Sequence, residues 1–174
     1  KRRKTMIKNI LYATDLSPNS AYVFRYAINS ARKHDADIFI LHVFERISGA
    51  AVGMLDLYLD EEQCKKIFEE KVSVTMERIR KRVKLFCEKE LKDDPLGAER
   101  VKFIEVCEGF AAEIILRKAD ELACDVIVMG THSKGIIANT FLGSTSKRVL
   151  RRTRKPVFLI PLPKGELDIT FHDT

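Results

Sequence analysis

Apolar residues fall along this chain in two alternating rhythms: short, nearly unbroken apolar runs, and between them apolar positions that step by three and four. Residues 7–14 (IKNILYAT) read as a strand. Asp15, Ser17 and Pro18 then offer cap residues and a first-turn proline, and Ala21, Phe24, Ala27, Ile28 and Ala31 recur at helical spacing up to Lys33. Residues 37–44 (DIFILHVF) are continuously apolar, as in a strand buried on both faces. Residues 45–60 contain Gly49 and Gly53 and no clean period, and read as a long loop serving as a lid or a partner-contact segment. From Asp60, the positions Cys64, Phe68, Val72, Met76, Ile79, Val83 and Phe86 form one stripe of a long surface helix reaching about Leu91. Its run of heptads is short for a coiled-coil seam. Residues 92–97 read as a turn, 100–107 as a third strand, 111–122 as a helix and 124–129 as a fourth strand. After a polar loop, 144–153 read as a helix and 156–160 (PVFLI) as a fifth strand, stopped by Pro161 and Pro163 ahead of a frayed tail over 164–174.

Five strands alternating with four helices predict an α/β fold, a mostly parallel open sheet with helices on both faces. With 174 residues the chain has the length of one domain and can bury a sizeable core. No run of eighteen apolar residues occurs, which excludes a membrane-spanning helix. No signal-peptide core follows the basic start Lys1-Arg2-Arg3-Lys4. Cys64, Cys87, Cys107 and Cys124 lie in apolar or amphipathic runs, without CxxC pairs or nearby histidines at zinc spacing. They read as buried free thiols of a reducing, cytoplasmic compartment. The net charge of +6 is concentrated in Lys147, Arg148, Arg151, Arg152, Arg154 and Lys155. No aromatic interleaving or nucleic-acid motif accompanies them, so they read as a solvated helix face whose cations complement a helix C-terminus.

Parallel sheets bind ligands beyond the carboxyl ends of their strands, where the strand order reverses. That directs attention to Ala13-Thr14-Asp15, His42-Val43 and Met129-Gly130. Asp15 can accept hydrogen bonds from a ribose or an adenine edge, or can serve the helix that follows as a turn residue. The connection after Met129 is more specific. It runs Gly130-x-x-Ser133-x9-Gly143-Ser144-Thr145, a thirteen-residue strand-to-helix loop where two to six residues are usual. Glycines allow close approach or a positive φ, Ser144 and Thr145 carry hydroxyls, and a helix N-terminus favours an anion. With no Gly-Lys-Ser/Thr it is not a Walker A loop. The alternative reading is a plain connection capped by Ser144. His132 lies in the loop, within reach of a phosphate or metal; His42 reads as a satisfied, half-buried histidine. No nucleophile–base order and no paired carboxylates at strand ends make a case for catalysis.

With these residues placed, the chain resembles the universal stress protein family. The likeness runs from about residue 7 to 161 and rests on ILYATDLS, ILHVFE, CEGFAAEII and DVIVMGTHSKG…FLGSTSKRVLRRTRKPVFLIP. The last stretch is similar to the Gly-x-x-Gly-x9-Gly-Ser/Thr loop of ATP-binding members, with Ser133 in place of the second glycine. Serine in a left-handed conformation costs about 1 kcal/mol, while its hydroxyl can donate to phosphate. The resemblance implies a Rossmann-like sheet of strand order 3-2-1-4-5 and a homodimer formed through the 156–160 strand. It also implies an ATP site with Mg²⁺ bridging the phosphates, and a stress-response regulatory role with at most slow hydrolysis. Ala13, Thr14 and Asp15 would approach ribose or adenine, Val43 would contact the base, and Met129 would line its pocket. Gly130, Thr131, His132, Ser133, Gly143, Ser144 and Thr145 would surround the phosphates. A ligand-free dimeric interaction protein of the same fold is the alternative.

Overall fold

A computed structural model describes residues 7–17, 19–44, 61–131 and 142–161. The predicted loop 45–60, the tail 164–174 and the proline at position 18 lie outside the described residues. The strands are β1 (Asn9–Thr14), β2 (Asp37–Phe44), β3 (Val101–Glu108), β4 (Val126–Gly130) and β5 (Val157–Ile160). The helices are α1 (Ser20–His34), α2 (Glu61–Glu90), α3 (Pro95–Arg100), α4 (Ala111–Glu121) and α5 (Ser144–Arg152). The strands form one five-stranded sheet in the order β3-β2-β1-β4-β5, and every pairing is parallel.

The continuous apolar strands follow from burial on both faces. Ile10, Tyr12, Ile38, Ile40, Val126 and Val128 point to one side, into a core closed by α1 and by Val83, Phe86 and Cys87 of α2. Leu11, Leu41, Ile127 and Met129 point to the other, against Ala112, Ile115 and Ala119 of α4 and Val149 of α5. The chain order explains the division. Two crossovers carry the chain outward from β1 to β3, and two more carry it from β3 back to β4 and out to β5, so uniformly right-handed connections place the two pairs of helices on opposite faces.

The predicted elements differ from the observed ones in two places beyond end effects of a residue or two. The 92–97 stretch was expected to be a turn, but it leads into α3. Asp94 accepts a hydrogen bond from the Gly97 amide at 3.0 Å through Oδ1, and Pro95 occupies the first helical position. The Asp-Pro pair was the sequence signal for this helix, outweighed by the neighbouring glycine. Helix α1 begins at Ser20, later than the cap residues suggested, because Asp15 and Ser17 are occupied in the turn that precedes it. Among the described side chains of α2, Val83 and Phe86 are buried, whereas Val74 is exposed.

Candidate functional site

The sheet reverses its order between β1 and β4. Their pairing runs Ile10↔Val126, Leu11↔Ile127 and Tyr12↔Val128. Extended by two residues, this register brings Thr14 level with Gly130, and by a third, Asp15 level with Thr131, at the mouth of the crevice. On the other side of β1, Ala13 is level with Leu41 and Thr14 with His42. Side chains alternate along each strand, and the alternation divides the predicted residues into two sets. Ala13, Val43 and Met129 belong to the α4/α5 face, Met129 within its buried cluster and Ala13 and Val43 partly buried against that cluster. Thr14 and His42 point to the α1/α2 face and are buried.

The turn after β1 is built by side chains. Asp15 Oδ1 accepts the Ser17 amide at 3.0 Å and the Ser20 hydroxyl at 3.0 Å, and Thr14 Oγ1 accepts the Leu16 amide at 3.1 Å. The turn-building reading of Asp15 is therefore real, and the residue is nonetheless exposed at the crevice. Leu16 adopts a φ of 57°, a left-handed conformation that costs a non-glycine residue about 1–2 kcal/mol. No residue type along this stretch signals it; Leu16 persists there because its side chain packs against the α1/α2 core and its amide is held by Thr14.

The long loop is closed at its base. The Gly143 amide donates to the Thr131 carbonyl at 2.7 Å, and the Thr131 amide donates to Ile160 at 3.1 Å. Buried Ser146, in the first turn of α5, donates through Oγ to the Gly130 carbonyl at 3.0 Å. These bonds fix the α5 N-terminus directly against the end of β4. Gly143 is the N-cap, with φ −64° and ψ 159°, so it needs no left-handed conformation. Ser144 is the first helical residue and not the cap, which corrects the alternative reading of a serine-capped connection. Among the described residues no side chain caps α5, and its first turn holds no acidic residue. The amides of Ser144, Thr145 and Ser146 and the positive end of the helix dipole thus meet no carboxylate of their own turn. His132 and Ser133 lie outside the described residues.

The cations after the loop divide by role. Arg152 pairs with Glu113 at 3.3 Å, and Lys155 bonds the Cys124 carbonyl at 2.8 Å and Asp120 at 3.2 Å. Lys147, Arg148, Arg151 and Arg154 form no ion pair among the described residues. Arg151 and Arg152 lie in the last turn of α5, where cations complement the dipole as expected. His42 is buried, with Nδ1 2.9 Å from the Thr14 carbonyl, and burial lowers its pKa below the ordinary 6.5. Burial also raises the thiol of Cys87 to about 12 and that of Cys124 to about 11. Cys107 is half-buried, and Cys64 lies among side chains that are not described.

Among the described residues, no group of three or more His, Cys, Asp or Glu side chains could hold a metal. No helix among them is long and apolar enough to cross a membrane.

Comparison with known proteins gives a consistent result. The model of the universal stress protein family matches residues 6–161. Universal stress protein MJ0531 of Methanocaldococcus jannaschii is 29% identical over 164 residues, covering 94% of this chain and 87% of the relative. A universal stress protein of Thermus aquaticus is 30% identical over 157 residues, covering 89% of this chain and 99% of the relative. Among solved structures, that of MJ0577 from M. jannaschii superposes with a TM-score of 0.63 at 24% identity, covering 92% of this chain and 100% of that one. A universal stress protein solved in complex with cAMP superposes with a TM-score of 0.52 at 17% identity, over 91% of this chain and 100% of that one. On the family model and the near full-length likeness together, the chain belongs to the universal stress protein family.

Proposed function

We propose that this protein is a nucleotide-binding regulatory module that holds ATP in the crevice between β1 and β4 and works in the stress response with little or no catalysis. One observation carries the reading. Ala13, Val43 and Met129 lie on the sheet face that α5 covers, and the N-terminus of α5, without a side-chain cap among the described residues, is tied to the end of β4. Apolar residues at the strand ends beside an anion-favouring helix end suit a flat base joined to phosphates. Asp15, exposed at the end of β1, would accept hydrogen bonds from the ribose hydroxyls. Gly130, Thr131, Gly143, Ser144 and Thr145 would surround the phosphates, together with His132 and Ser133. Mg²⁺ would be carried chiefly by the phosphates themselves. The cAMP complex of a protein with this fold supports an adenine nucleotide as the ligand class.

The test is direct. The purified protein is denatured, and the released small molecules are identified by absorbance and mass; the emptied protein is then titrated calorimetrically with MgATP, ADP, AMP and cAMP. Co-purified adenine nucleotide, or saturable MgATP binding that Gly143→Val abolishes, supports the proposal. An empty site with no heat and no thermal shift at millimolar MgATP refutes it.

The proposal includes a homodimer through β5. That strand pairs only with β4 among the described residues, and Phe158 stands partly exposed on it. An unpaired strand edge is a natural site for a second copy. Light scattering should report a dimer, and Phe158→Lys should shift it to monomer. The ligand-free reading draws on Lys147, Arg148 and Arg151 of α5, which form no ion pair among the described residues, and a failed titration together with an intact dimer would favour it.

A further inference from the structure

The segment from β4 through β5 carries cations without carboxylates. Residues 126–165 contain eight Lys or Arg and no Asp or Glu, although the chain holds 25 Asp and Glu. A carboxylate that neutralises this segment must therefore come from elsewhere in the fold. Helix α4, packed on the same sheet face as α5, supplies three, and all are engaged. Glu113 pairs with Arg152 at 3.3 Å, Asp120 with Lys155 at 3.2 Å, and Glu121 with Arg117 at 3.4 Å and Lys118 at 2.9 Å. Lys147, Arg148 and Arg151 are exposed on α5 and form no ion pair among the described residues. Their places along the helix separate them. Ser146 and Val149 are buried against the sheet, and at about 100° per residue Lys147, Arg148 and Arg151 share the opposite side with exposed Ser144. At about 1.5 Å per residue, Lys147 and Arg148 stand about 4.5 and 6 Å behind Ser144, and Arg151 about 10.5 Å behind it. Helical side chains lean toward the N-terminus, so the stems of Lys147 and Arg148 reach back over the first turn, and that of Arg151 falls a turn short.

We infer that Lys147 and Arg148 make the site selective for a polyphosphate chain: they hold the terminal phosphates of a nucleoside triphosphate, which a monophosphate lacks. The inference rests on the nucleotide site proposed above and names the part of the ligand that this chain discriminates. The sheet side of the α5 tip is already closed. The Gly143 amide donates to the Thr131 carbonyl at 2.7 Å, and Ser146 Oγ donates to the Gly130 carbonyl at 3.0 Å. A phosphate chain that starts at the strand ends beside Ala13, Val43 and Met129 therefore extends along the open side of that tip, where the two cations stand. Arginine offers a planar fork of donors and lysine a compact ammonium, and their bonds to phosphate are about twice as strong as neutral hydrogen bonds. Each phosphate beyond the first brings further negative charge to these cations. Arg151 has the same charge on the same side of the helix, but at 0.15 M salt charges are screened over about 8 Å, so it adds little to the discrimination.

The experiment titrates the full-length chain calorimetrically at pH 7.5 and 0.15 M salt with AMP, ADP and ATP, each in EDTA and again with Mg²⁺, and with inorganic tripolyphosphate, which has no base. Three proteins are compared: wild type, the double variant Lys147→Gln/Arg148→Gln, and Arg151→Gln. Glutamine removes the charge and keeps a good helix former at exposed positions, so all three should fold. In EDTA, wild type should bind ATP at least about tenfold more tightly than AMP. The double variant should lose about tenfold or more in ATP affinity and no more than about twofold in AMP affinity. Arg151→Gln should change the ratio of ATP to AMP affinity by less than about twofold. An unchanged ratio in the double variant would overturn the inference while leaving the nucleotide site intact. So would an equal fall of the ratio in Arg151→Gln, because it would assign the effect to the general charge of the helix. If no nucleotide binds, the proposed function fails instead, and tripolyphosphate decides for the cations. Saturable binding that the double variant loses upholds the polyphosphate site; no binding, or binding that the double variant keeps, overturns it.

Discussion

Ser146 is the point where the fold and the candidate site depend on one hydroxyl. Its Oγ donates to the Gly130 carbonyl at 3.0 Å, and the residue is 3% exposed. Ser146→Ala removes the donor without adding volume, so water cannot readily replace it. A buried carbonyl left without its partner costs about 1–3 kcal/mol, and the low half of that range suits the part-buried Gly130 carbonyl at the end of its strand. For a chain of this length each kcal/mol lowers Tm by about 2–4 °C, so differential scanning calorimetry should find a drop of roughly 2–8 °C. The same bond holds the α5 N-terminus against β4. If the whole 1–2 kcal/mol were expressed as loss of that alignment, MgATP affinity would fall by at most about five- to thirty-fold. The measurement pairs calorimetric unfolding with nucleotide titration on the same samples. A Tm within about 1 °C of wild type, together with unchanged affinity, would refute the reasoning, because it would mean that neither stability nor the placement of α5 depends on this bond.

Gly97→Ala would place a Cβ 2.8 Å from Asp94 Cγ and 3.1 Å from Ile28 Cγ2, displacing the carboxylate that caps α3; loss of the cap alone should cost about 1 kcal/mol, read as a lower denaturation midpoint. Cys87 and Cys124, with thiols raised to about 12 and about 11, should resist iodoacetamide at pH 8 in the folded protein and react freely in denaturant, as peptide mass mapping would report. Equal labelling in both states would contradict their burial. The lowered pKa of His42 also bears on stability: between its folded pKa and the ordinary 6.5 the unfolded chain binds more protons, so stability is full above 6.5 and declines as pH falls through that window. Denaturant titrations at pH 7.5 and 5.5 should show a smaller loss for His42→Asn than for wild type.

The sequence by itself determined most of the architecture. Strands buried on both faces must be apolar throughout, as 37–44 is, and amphipathic helices must carry a stripe, as Ala21, Phe24, Ala27, Ile28 and Ala31 do. Those periodicities are local, so they were legible without a structure. The glycine-bearing loop ahead of a helix was legible for the same reason, and the likeness to one family supplied the strand order. Only the tertiary structure decided which candidates share a place. Ala13, Val43 and Met129 come from three separate strands, and whether they meet depends on parallel register and on the alternation of side chains across the sheet. The same alternation sent Thr14, itself a predicted site residue, and His42, which adjoins one in sequence, to the opposite face. The bonds from Ser146 to Gly130 and from His42 to Thr14 join residues 16 and 28 apart. No pattern along the chain encodes such contacts, because they exist only once the strands are paired and the helices have closed over them.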